Sequence, residues 1–107
     1  MRHTPHMDRA SPASSFQGWF GISPSQARLL VLLLRAEGRV VPPAELSQAA
    51  GVTRHAVRTH LSQLREAMDP EALDCERGHG YRLSQIGLDE CRQALAAMAA
   101  EMRMGQA

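Results

Sequence analysis

The stretch from Thr53 to Met68, TRHAVRTHLSQLREAM, holds three arginines and two histidines, with no acidic residue before Glu66. Basic side chains gathered in this way can meet phosphate oxygens and the polar edges of bases. They can equally form the solvated face of an ordinary surface helix. The chemistry therefore depends on the elements that would hold the stretch in place.

Val57, Leu61, Leu64 and Met68 recur at i, i+4, i+7 and i+11, which makes one buried helical face. Arg54, His55, Arg58, Thr59, Ser62 and Arg65 then fall wholly or partly outside it. Thr53 can cap the start of this helix, and Asp69-Pro70 stops it, since the residue before a proline disfavours helical backbone. Upstream, Pro43 starts another helix with Leu46, Ala49 and Ala50 apolar, and Gly51-Val52 forms a tight turn. Two helices joined by a glycine-containing turn make a helix-turn-helix pattern.

Ser23-Pro24 opens an earlier helix, with serine as N-cap and proline at the first helical position. Its apolar run, Leu29 to Leu34, is broad for an amphipathic stripe and suits a central helix touched on most sides. Gly38 ends it, and Arg39-Val40-Val41 has the character of a short strand.

Downstream, LDCERGHGYRL has the form of a β-hairpin. Leu73 to Arg77 and Tyr81 to Leu83 flank Gly78-His79-Gly80, whose glycines permit the positive φ angles of a tight turn. A hairpin directly after a reading helix is a wing. The last segment, Ser84 to Met104, is alanine-rich and helical. Leu88, Cys91, Leu95, Met98 and Met102 follow heptad spacing over about two heptads, a stripe that either packs on its own domain or pairs with a second copy. Pairing is the expectation, which makes these five the dimerisation residues.

The fold expected is α+β, mainly α: a winged helix-turn-helix over residues 16–83 with a C-terminal hairpin wing, followed by an extra C-terminal helix over 84–107. Residues 1–15, rich in proline, serine and charge, read as a flexible tail. His3 and His6 lie there with nothing nearby to complete a metal site. Phe16, Trp19 and Phe20, three of the four aromatics, either cap the core or offer a sticky segment to a partner.

At 107 residues and 44% hydrophobic content the chain suits one small packed domain. A net charge of +1 does not exclude a nucleic-acid partner, because the basic groups, all 12 of them arginine, can cluster. Cys75 and Cys91 form no C-x-x-C and read as free thiols of a reducing compartment. There is no signal-peptide pattern and no apolar run near the ~20 residues of a membrane span, so a cytoplasmic location is expected. No catalytic triad, paired carboxylates, phosphate loop or metal spacing stands out, and neither an enzyme activity nor a cofactor or metal is expected.

Three motifs in order bring a family into view. ISPSQARLLVLLLRAEGRVVPPAEL resembles the opening of the OmpR/PhoB-type winged-helix DNA-binding domain. AVRTHLSQLREAM resembles its recognition helix through Val57, His60, Leu61, Leu64 and Arg65. LDCERGHGYRL resembles its wing through Arg77, Gly78, Gly80, Tyr81, Arg82 and Leu83. The resemblance spans roughly Ile22 to Leu83 and implies a stand-alone domain of this type, without a receiver domain.

By that resemblance, Arg58, Thr59 and Gln63 face bases in the major groove. Arg58 can donate two hydrogen bonds to a guanine edge, and the Thr59 methyl can touch a thymine. His55, His60, Ser62 and Arg65 sit near phosphates, and Thr53 and Arg54 at the helix start can join them. His60 has the alternative of half-buried packing. Arg77 is the candidate for the minor groove, with His79 beside it at the wing tip. Arg77 and Arg82 have the alternative of solvated hairpin charges, and Tyr81 reads as core. The expected function is a sequence-specific, double-stranded-DNA-binding transcriptional regulator acting as a homodimer. The alternative is a winged-helix adaptor that docks on RNA polymerase or another regulator.

Overall fold

The computed structural model describes residues 11–105. Five helices and one hairpin follow one another: α1 (Pro12–Phe20), α2 (Pro24–Arg35), α3 (Pro43–Ala50), α4 (Arg54–Ala67), β1 (Leu73–Glu76), β2 (Gly80–Leu83) and α5 (Gln85–Gly105). This is the mainly helical winged helix-turn-helix with an added C-terminal helix.

Helix α1 corrects the tail boundary. Residues 12–15 are helical, where the sequence reading ends the tail at residue 15. The cause is local: the Ser11 hydroxyl accepts from Ser14 N–H at 3.1 Å, and Pro12 occupies the first turn. The two histidines at positions 3 and 6 lie outside the described residues. Phe16 is fully buried and its ring stands 5.9 Å from that of half-buried Phe20, so these two cap the core. Trp19 points the other way and is 44% exposed.

Helix α2 begins with a reciprocal cap. The Ser23 hydroxyl accepts from Gln26 N–H, and the Gln26 carbonyl oxygen accepts from Ser23 N–H at 3.1 Å. Ala27, Leu29, Leu30 and Leu33 are buried along it, at the centre of the core. Arg28 leaves that face and donates to the Ala50 carbonyl at 3.2 Å, satisfying an open group at the end of α3. Gly51 then adopts φ +70, a left-handed conformation that lets the chain leave α3 and enter α4 within three residues.

Only Val41 of the expected strand at residues 39–41 pairs. It exchanges backbone hydrogen bonds with Tyr81, at 2.7 Å and 3.0 Å. Two prolines follow at once, and a proline has no N–H with which to extend a ladder. The hairpin approaches this bridge so closely that a Cβ on Gly80 would lie 2.1 Å from the Val41 oxygen. In the hairpin itself Leu73 faces Leu83, Asp74 faces Arg82 and Cys75 faces Tyr81.

Ser84 joins the wing to α5. Its hydroxyl accepts from Gly87 N–H, and its carbonyl accepts from Leu88 N–H at 2.9 Å. Helix α5 packs on α1 and on the hairpin. This corrects the dimerisation stripe: Leu88 is 6% exposed and Cys91 0%, both within the core of their own domain, and Leu95 packs against that core. Heptad spacing recurs here because any helix lying along a core presents such a stripe. Met98 and Met102, the outer members, are half-buried. Among the described residues no helix is long and apolar enough to cross a membrane.

Candidate nucleic-acid interface

Helix α4 is held by three anchors. Thr53 caps it, its hydroxyl accepting from Ala56 N–H at 3.1 Å. Val57, Leu61 and Leu64 bury its inner face, and Met68 closes its end at 6% exposed. At about 100° per residue, the outer surface then divides into two flanks around an outermost line. Arg54, Arg58, Ser62 and Arg65 fall on one flank, Thr59 and Glu66 lie outermost, and His60 and Gln63 fall on the other flank.

The arginine flank looks across a cleft at the wing. One depression is lined by Arg58, Leu61, Ser62, Arg65, Cys75 and Tyr81. The next runs from Pro43 and Arg54 past Cys75 and Glu76 to the wing turn at Gly78–Tyr81. Arg54, Arg58 and Ser62 are exposed, and among the described residues neither of these two arginines pairs with a carboxylate. Arg65 is exposed too, but one of its nitrogens donates to the Leu73 carbonyl at 3.3 Å, tying α4 to the root of the hairpin. His55 and Thr59 are exposed.

The other flank is engaged with α2. His60 is half-buried, with its Nδ1 3.2 Å from the Gln26 amide nitrogen, and the same nitrogen donates to the Gln63 side-chain oxygen. Of the two readings of His60, the packed one is thus present. Gln63 is exposed yet anchored through its carbonyl oxygen, while its own amide NH₂ stays available.

On the wing, Arg77 and His79 are exposed at the tip. Arg82 lies on the opposite face from Tyr81 and stands 3.5 Å from Asp74 and 3.8 Å from Glu76. Its charge is therefore matched within the hairpin, and Arg77 is the wing arginine without an ion pair among the described residues. Tyr81 is half-buried and bridged to Val41. Cys75, exposed and in the cleft, is a residue that reading for charge overlooks. Strand alternation was the available signal, because Leu73, Cys75, Tyr81 and Leu83 must share a face. Among the described residues no group of three or more His, Cys, Asp or Glu could hold a metal ion.

The family model described as an HTH domain matches residues 25–82, more than half of the chain. The chain is also similar to the regulatory protein AfsR of Streptomyces coelicolor, at 40% identity over 88 residues. That match covers 74% of this chain and 9% of the relative, so the chain spans a small fraction of that protein. No solved structure matches.

Proposed function

The chain belongs to the HTH domain family, and from that premise we propose that it is a sequence-specific, double-stranded-DNA-binding transcriptional regulator of the OmpR/PhoB winged-helix kind. The observation that carries this reading is the arginine flank of α4 beside the wing, with Arg54 and Arg58 exposed and, among the described residues, in no ion pair with a carboxylate. A helix capped by Thr53 and backed by Leu61 and Leu64 presents that flank and the outermost Thr59 to a major groove. Arg58 reads a base edge, and Arg54, His55 and Ser62 take phosphates. Arg65 divides its donors between a phosphate and the Leu73 carbonyl. Arg77, with His79, enters the neighbouring minor groove.

A good bidentate base contact discriminates by ~1–3 kcal/mol, while phosphate contacts add affinity that falls steeply with salt. Two copies on adjacent half-sites would sharpen selection. Of the expected pairing stripe on α5, the outer members Met98 and Met102 are the half-buried ones beyond the core, and Met104 beside them is exposed.

The test is selection of bound sequences from a random duplex pool, followed by titration at several salt concentrations. Arg54→Glu with Arg58→Glu abolishes salt-sensitive retention if the reading is right. The adaptor reading, with docking on RNA polymerase or another regulator, draws on exposed Trp19. It predicts the opposite pattern: the charge reversal leaves partner capture intact and Trp19→Ser removes it.

A further inference from the structure

The inference concerns Gln26 and rests on the DNA-reading proposal above. Gln26 is 7% exposed and belongs to α2, a helix whose core-facing residues carry no base contacts in that proposal. Its amide has three partners. The oxygen accepts from Ser23 N–H at 3.1 Å; the nitrogen reaches His60 Nδ1 at 3.2 Å and the Gln63 side-chain oxygen.

These roles cannot be exchanged. A backbone N–H can only donate, so it pins the Gln26 oxygen at the helix cap. The nitrogen must then face α4, and an amide nitrogen can only donate. His60 Nδ1 therefore accepts, which makes the ring neutral with its proton on Nε2. Gln63 likewise has its carbonyl turned toward Gln26, which leaves its NH₂ as the outward group.

We propose that Gln26 is a positioning residue for the DNA-facing helix, fixing His60 as a neutral Nε2–H donor and Gln63 as a donor toward its base. His60 then serves a phosphate as a hydrogen-bond donor and releases no counterion of its own. Gln63 then favours base edges that accept, guanine O6 and N7, thymine O4 or adenine N7, over cytosine, whose edge offers only the N4 amino donor.

The discriminating variant is Gln26→Glu. A carboxylate still accepts from Ser23 N–H, so the cap and the fold are retained. It has no hydrogen to donate. His60 must turn a proton to Nδ1, and Gln63 must turn its NH₂ inward and present its carbonyl. Long-range nitrogen–proton NMR of the full chain reads the histidine protonation site. Duplex selection with the wild type, Gln26→Glu and Gln63→Ala reads base preference.

The expected results are an Nε2–H ring in the wild type and a proton on Nδ1 in Gln26→Glu. At the base pair whose preference Gln63→Ala erases, Gln26→Glu shifts selection from guanine or thymine toward cytosine by about 3–10-fold, while adenine, with both an acceptor and a donor, serves either orientation. An Nδ1–H ring in the wild type overturns the proposal, as does a Gln26→Glu protein with unchanged tautomer and base profile. A wild type that binds no duplex sinks the DNA reading instead. The tautomer comparison in the free protein then still decides whether Gln26 positions His60.

Discussion

The Gln26 amide nitrogen stands 3.2 Å from His60 Nδ1 across 34 positions of sequence, joining the cap of α2 to the middle of α4. Cap and reading helix are one hydrogen-bonded unit, because the same amide also closes the Ser23 turn. Gln26→Ala removes all three contacts and leaves their partners to water or to nothing. We expect a loss of about 1–3 kcal/mol in urea denaturation, and a smaller loss for Gln26→Glu, which keeps the cap. Equal losses in the two variants would mean that the retained cap adds nothing to stability.

Gly80 is the tightest point of the wing. A Cβ there meets the Val41 oxygen at 2.1 Å, and the φ of +147 disfavours any side chain. Gly80→Ala should cost roughly 2–4 kcal/mol in thermal or urea unfolding, a backbone effect of the kind that produces unusually large losses. Gly78→Ala, with open space around its Cβ, keeps only the strain of its positive φ and should cost clearly less. The reverse order would refute the Val41–Tyr81 contact as the wing's attachment.

The inner and outer parts of α5 should respond differently to charge. Leu88→Glu buries a carboxylate in the core and is expected to unfold the domain or cost more than about 3 kcal/mol. Met102→Glu, at a half-buried site, should stay within about 1 kcal/mol. Sedimentation of the two variants beside the wild type then isolates association. A wild type that sediments as a monomer at micromolar concentration removes the homodimer, and a dimer lost in Met102→Glu supports pairing through the outer end.

The two thiols should separate chemically. Burial, with a smaller contribution from the Glu90 carboxylate and partly offset by Arg92, pushes the Cys91 thiol from 9.0 up to about 12. Cys75 is exposed. One equivalent of a thiol reagent should therefore label Cys75 in the native protein, with Cys91 reacting only on unfolding. Because the folded-state value is raised, the protonated thiol favours the native state fully below pH 9, and this is lost as pH climbs toward 12. Relative to Cys91→Ala, the wild type should lose about 1.4 kcal/mol of stability per pH unit in that window. Parallel pH curves for the two proteins would contradict it.

Much of the frame is readable locally. Ser23-Pro24, Gly51 and Thr53 act within a turn of themselves, and their caps appear where the residues call for them. Ser11-Pro12 is the same signal, yet it sits in a proline- and serine-rich run that composition alone assigns to a tail. Spacing cannot tell whether a stripe is covered by its own chain or by another. Leu88 and Cys91 meet the core because α5 lies against α1, a contact no heptad pattern contains. In the candidate site, the outward arginines follow from the buried face of α4. The capture of His60 and Gln63 does not, since it depends on a glutamine brought in from another helix.

The single bridge between Val41 and Tyr81, together with Ser84 N–H on the Ala72 carbonyl at 2.9 Å, makes the wing a cantilever. It is clamped at its root and mid-span and unsupported at the Gly78–His79 tip, where both residues are exposed. Backbone amide exchange should be slow at Tyr81 and Ser84 and fastest at Gly78, with His79 held only by its turn bond to the Glu76 carbonyl. A lever of this form can follow a groove that narrows or widens from one sequence to the next while its root, and the arginine flank beside it, stays still. If the wing enters a groove as proposed, this form gives tolerance of groove width at one end without loosening the helix at the other.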